Sequence, residues 1–141
     1  MDRTPLTALR IVLVLAGAFT LFTGINLAFG GMLTLGWQGS NAFLAVTDEH
    51  AFLVQDSHIR FFGGLWMGVG ALLMAATANL SKYRGPLNMA FALIFLGGLA
   101  RMSQMHLEVT FGPDILGSLL AELVGMPLLY VWLSRAAHQP A

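Results

Sequence analysis

The chain has 141 residues, 57% of them hydrophobic and only 10% charged, with a mean hydropathy of +0.74 and no net charge. A soluble domain carries about 25% charged residues, so this composition excludes an ordinary water-soluble globule. It points to one membrane-embedded domain over residues 1–141. Cysteine is absent, which rules out disulfides, thiol catalysis and any cysteine-dependent cofactor, iron–sulfur clusters and covalent haem included. No basic cluster suggests nucleic acid as a partner.

Between Ile11 and Thr47 there is no charged residue. A helix needs about 20 apolar residues to cross the hydrocarbon core, and Gly30-Gly31 and Gly36-Trp37-Gln38-Gly39 break the run. The first span is therefore predicted at residues 11–33. Arg3 and Arg10 precede it as they would a signal peptide, but the apolar stretch is longer than a signal core, so a retained span is expected. Residues 38–57 mix apolar positions with Asp48-Glu49 and are too short to cross and return. They are predicted as one or two short interfacial helices in the first outer loop. Further spans are predicted at 59–78, 86–101 and 114–133. The expected fold is an all-α, four-helix membrane bundle.

Lysine and arginine favour the cytoplasmic side of short loops. Arg3, Arg10, Lys82, Arg84 and Arg135 fall on one side of the four-span layout, Arg60 and Arg101 on the other with Asp48, Glu49, Asp56, Glu108 and Asp114. Both termini are thus expected in the cytoplasm, with residues 38–57 and 102–113 outside. Tyr83, Tyr130 and Trp132 would lie near the inner interface and Trp37 near the outer one, while Trp66 lies deeper.

Membrane helices associate by close packing, which small residues permit. Gly64 and Gly68 stand four apart in the second span, and Gly117, Ala121 and Gly125 repeat that spacing in the fourth. Gly17, Gly24 and Gly97-Gly98 add small positions to the first and third. These strips are expected to pack helices of the chain together or to meet a partner helix. Pro127 lacks a backbone donor and is expected to bend the fourth span.

Glu122 is the most informative residue for function. It lies eight positions into the fourth span, about 12 Å deep at the helical rise, where a carboxylate must be neutral, hydrated or paired. It is either a proton-carrying or ligand-binding group, or a structural partner for an arginine. Arg101 at the outer end of the third span reaches toward it if the two helices are antiparallel neighbours. Arg60 has Asp56 four residues earlier on its own helix. Arg60, Arg101 and Glu122, with His58 and Gln104, form the candidate ligand-binding set for a lipid headgroup, a quinone or a small organic anion. His50, His58 and His106 beside acidic residues are weak metal candidates, without the i, i+4 histidine spacing of a zincin helix. Asn26 and Gln104 are expected as interhelical hydrogen-bond partners. No nucleophile–base set, phosphate loop or dinucleotide fingerprint occurs, so no catalytic residue is assigned.

Three stretches carry a family resemblance: His58-x-Arg60-Phe61-Phe62-Gly63-Gly64-Leu65-Trp66-x-Gly68-x-Gly70, then Gly98-Leu99-Ala100-Arg101, then Glu122-Leu123-x-Gly125-x-Pro127-Leu128-Leu129. With the four-span layout they resemble the bacterial membrane family catalogued as domain of unknown function 4345. Small DoxX-like four-helix proteins share that layout. The resemblance implies a bacterial inner-membrane location and places Arg60, Arg101 and Glu122 in the family pattern; it implies no activity. The leading expectation is a non-catalytic membrane subunit or scaffold packing against other membrane helices, or self-associating, in an energy-transducing complex. The alternatives are a binding protein or carrier using Arg60, Arg101 and Glu122, and a membrane enzyme acting on a lipophilic substrate.

Overall fold

The computed structural model describes residues 4–36, 46–104 and 106–136. Helix α1 spans Thr4–Gly30 and runs into a 3₁₀ turn at Gly31–Gly36. Next come α2 (Glu49–Ala76), α3 (Leu80–Met102), α4 (Leu107–Thr110) and α5 (Pro113–Leu120). A π turn at Ala121–Gly125 continues α5 into α6, Met126–Ala136. No strand occurs among the described residues. Four helical stretches are long and apolar enough to cross a membrane: Leu6–Leu33, Glu49–Ala76, Leu80–Met102 and Pro113–Ala136. The protein is all-α with four such helices, the class its composition predicts.

The helices are longer than the hydropathy boundaries. Helix α2 starts at Glu49 rather than near residue 59, because the Asp48 carboxylate caps it by accepting from the Ala51 amide at 3.0 Å. Neither glycine nor proline occurs between Glu49 and Phe62 to stop it. Residues 49–57, expected in an interfacial helix, are instead the first turns of α2. Residues 38–45 of that expected element, and Trp37, lie outside the described residues. Helix α3 starts at Leu80 rather than Pro86, with Asn79 accepting from the Lys82 amide at 3.0 Å as its N-cap.

The chain divides into two compact units. The first, Ile11–Thr77, is the antiparallel pair of α1 and α2. Their contact is a ladder of glycines. A Cβ at Gly17 would press on Gly70 and Met74, one at Gly24 on the backbone of Trp66 and Met67, one at Gly70 on Leu21, and one at Gly63 on Leu27 and Ala28. Gly17, Gly24 and Gly31 are seven residues apart on α1, and Gly63 and Gly70 seven apart on α2. A seven-residue repeat returns to the same helix face in a left-handed crossing, so these glycines form one seam along which backbones touch. Within the seam, Trp66 Nε1 donates to Thr23 Oγ1 at 3.1 Å. The indole thus reaches across to α1.

The second unit joins Met1–Arg10 to Ala78–Ala141. Leu87, Ala90, Phe91 and Ile94 of α3 are buried, as are Leu119, Leu129 and Leu133 of the fourth span. Proline 127 leaves its mark one turn earlier. It cannot donate to the Leu123 carbonyl and its ring crowds that carbonyl, and the preceding turn is wide: the Met126 amide donates to Ala121, five residues back. This is the π geometry. The predicted disturbance of the fourth span therefore takes the form of a widened turn, and it contains Glu122.

Candidate functional site

Four charged side chains inside the spans form two pairs, one in each unit. In the first, Asp56 and Arg60 occupy successive turns of α2, and Arg60 Nε donates to Asp56 Oδ2 at 2.6 Å. The pair also grips the end of α1. Asp56 Oδ1 accepts from the Met32 amide at 2.7 Å, and Arg60 Nη1 donates to the Phe29 carbonyl at 2.6 Å. Helix ends leave their last carbonyls and the amides beyond them without helical partners, and these two side chains supply partners to both kinds of group. Gly31, at φ +64°, makes the turn between them, and a Cβ there would collide with the Asp56 carboxylate. Only 8% of Asp56 is exposed.

In the second unit, Arg101 Nε lies 2.9 Å from Glu122 Oε2 and 3.2 Å from Oε1. Glu122 is buried at 9% exposure. It can come this close because Gly98, one turn before Arg101, presents no side chain: a Cβ there would stand 2.9 Å from Glu122 Cβ and 2.8 Å from Leu123 Cδ2. The π turn sets the carboxylate on this face, and Gly98 makes room for it. The guanidinium's contact with both carboxylate oxygens ties α3 to the fourth span.

His50 and His58 are exposed, and His106 Nδ1 lies 3.3 Å from Glu108 Oε1 on the surface. Within neither unit do three histidine or acidic side chains gather to hold a metal ion, among the described residues. The Asn26 side chain donates to the Phe22 carbonyl of its own helix at 2.9 Å, and the Gln104 backbone N–H donates to the Arg101 carbonyl at 3.2 Å. Ser118 likewise bonds within its helix, to Ile115 at 2.8 Å. Arg60 and Arg101 each engage a carboxylate of their own unit.

The four-apart glycines take no part in the contact between helices of their own unit. Nothing of the α1–α2 pair lies within 4 Å of a Cβ at Gly64 or Gly68, while Gly63 and Gly70 make the contacts. In the fourth span Gly117 likewise meets nothing of its unit, and Gly125 meets only Leu120 of its own helix at 3.9 Å. Ala121 is exposed. Intramolecular packing in the first unit follows the seven-residue spacing because the helices cross along their length, where that spacing keeps one face in register.

The family model for the domain of unknown function DUF4345 matches residues 8–133. The chain belongs to the DUF4345 family. The matched region holds Asp56, Arg60, Arg101 and Glu122, so both ion pairs lie within the DUF4345 domain. No curated protein and no solved structure matches the chain.

Two features of this DUF4345 domain were not singled out from the sequence. Asp56 was read only as a local partner of Arg60; that its other oxygen would reach Met32 depends on the fold. Asn88, in the middle of α3, has a buried Oδ1 with no hydrogen-bond partner. An amide in an apolar span is a signal the sequence does carry.

Proposed function

We propose that this DUF4345 chain is a non-catalytic, multi-pass membrane subunit or scaffold of the bacterial inner membrane, with both termini in the cytoplasm. It packs against other membrane helices, as a component of an energy-transducing complex or as a self-associated assembly. The observation that carries the reading is that both buried carboxylates are bound to arginines in ties between helices. That leaves neither as a free acid, base or ion ligand. Two further facts support it. Gly64 and Gly68 present a smooth four-residue strip that the α1–α2 pair does not use, the spacing that admits another backbone closely. In the fourth span only Leu119, Glu122, Leu129 and Leu133 are buried.

Purification in a mild detergent, followed by mass spectrometry of everything retained, tests the proposal. A stoichiometric partner chain, or a defined oligomer of this chain, that is lost on Gly64→Leu or Gly68→Leu supports it. A monodisperse single chain that keeps its state in both variants contradicts it.

A second reading has one observation in its favour. The Arg101 side chain is 45% exposed and holds Glu122 through Nε alone. Its two Nη groups make no hydrogen bond among the described residues and could face an anionic headgroup or a small organic anion. A retained acidic small molecule that is lost on Arg101→Met would favour this reading.

A further inference from the structure

In the second unit α3 and the fourth span enclose a groove of about 270 Å³. One wall is α3, with Asn88, Phe91, Ala92 and Phe95 on one helix face at i, i+3, i+4 and i+7; the other is Met126, Pro127 and Tyr130. On the fourth span the groove is lined by residues that follow the π turn holding Glu122, and no charged residue lines it. Its single amide is Asn88, whose Oδ1 is buried without a hydrogen-bond partner.

That oxygen needs an explanation. A buried amide acceptor left unsatisfied is destabilising, and an oxygen closed off from the surface gains nothing from water. Asn88 sits one turn beyond Arg84 on α3, at the start of the apolar part of that helix. Its terminal torsion is broad and soft, so the amide turns easily from the groove wall into the groove. What the groove offers is then an apolar, largely aromatic slot with one acceptor. A lipid acyl chain has no donor to give it, and an anion would find no cation. A groove of this size lies at the lower end of ligand pockets, about 300 Å³ and upward, and takes a small headgroup rather than a whole lipid.

We infer that this groove binds a lipophilic alcohol or phenol, its apolar body against Phe91, Phe95 and Tyr130 and its hydroxyl donating to Asn88 Oδ1. The site is distinct in residues from both ion pairs, and it stands whether or not the chain is a scaffold.

The test uses the full chain in phosphatidylcholine nanodiscs, with partition into protein-free nanodiscs subtracted. The probes are 4-butylphenol, its donor-less methyl ether 4-butylanisole, and 1-octanol. The wild type should hold the phenol about three- to tenfold more tightly than the ether, the worth of one hydrogen bond in a membrane interior. Asn88→Leu should abolish that preference while leaving the ether bound. Ala92→Phe, which fills the groove without touching the amide, should weaken all probes together and serves if Asn88→Leu does not fold. Octanol binding as tightly as the phenol assigns an aliphatic alcohol, and weaker octanol binding assigns an aromatic one. Equal affinity for phenol and ether in the wild type, or unchanged phenol binding in Ala92→Phe, overturns the inference and leaves the groove to acyl chains.

Discussion

Asp56 and Met32 are joined across two helices: the carboxylate of α2 accepts the backbone amide just past the end of α1 at 2.7 Å. The same carboxylate holds Arg60, which in turn takes the Phe29 carbonyl. One ion pair therefore sets both the end of α1 and its register on α2.

Asp56→Asn keeps an acceptor for the Met32 amide and loses the charge that holds Arg60, whereas Asp56→Ala loses both. Melting temperature in one detergent should fall in the order wild type, Asn, Ala. Amide exchange at Met32 should accelerate most in the alanine variant. Equal exchange at Met32 in all three would mean that the contact does not hold the turn.

Gly31→Ala tests the same corner from the other side. The backbone there is left-handed, and a Cβ would meet the Asp56 carboxylate. Strain of this kind costs about 1–3 kcal/mol, so the variant should melt lower than wild type and lose protection at Met32. A wild-type melting curve would show that the turn accepts a side chain and that its register is not tight.

The glycine seam predicts a contrast within one helix. Gly70→Leu or Gly63→Leu should destabilise the α1–α2 pair by at least the about 1–3 kcal/mol typical of overpacking, because each glycine faces backbone. Gly64→Leu and Gly68→Leu should leave the melting temperature of the isolated chain unchanged. Thermal unfolding of the four variants side by side decides it. Equal losses in all four would remove the distinction between seam and open strip.

How far the sequence reveals all this depends on which forces act locally. The four spans and their order follow from runs of apolar residues, which are local. The Asp56–Arg60 pair is legible because four residues separate the partners on one helix, and Arg101 could be matched to Glu122 because a short connection makes neighbours antiparallel. The start of α2 was missed because hydropathy weighs Asp48-Glu49 as loop, although an aspartate before a glycine-free run is a capping signal. The α1–α2 seam is not legible for a different reason. Two spacings, four and seven, coexist among the glycines of α2, and only the partner helix decides which one packs. Gly31, Met32 and Asp56 meet across 24 residues of chain, a relation no local pattern contains.

The proposed orientation yields a labelling result. The chain has no cysteine, so a single Ser40→Cys variant in right-side-out and inverted vesicles reports one site. Ser40→Cys should react from the outer face. Reaction only from the cytoplasmic face would reverse the orientation.

The account rests on the buried carboxylates acting as ties between helices, and Glu122 with Arg101 offers the most direct test. The decisive measurement is the thermal stability of Glu122→Leu, Arg101→Met and the double variant in one detergent. Each single replacement strands its partner; with Arg101 half exposed, the loss should be about 1–3 kcal/mol, below that of a fully buried pair. The double variant should recover most of it, because no stranded charge remains. Losses that simply add, with no recovery in the double variant, would contradict the account and assign Glu122 to another partner or a ligand.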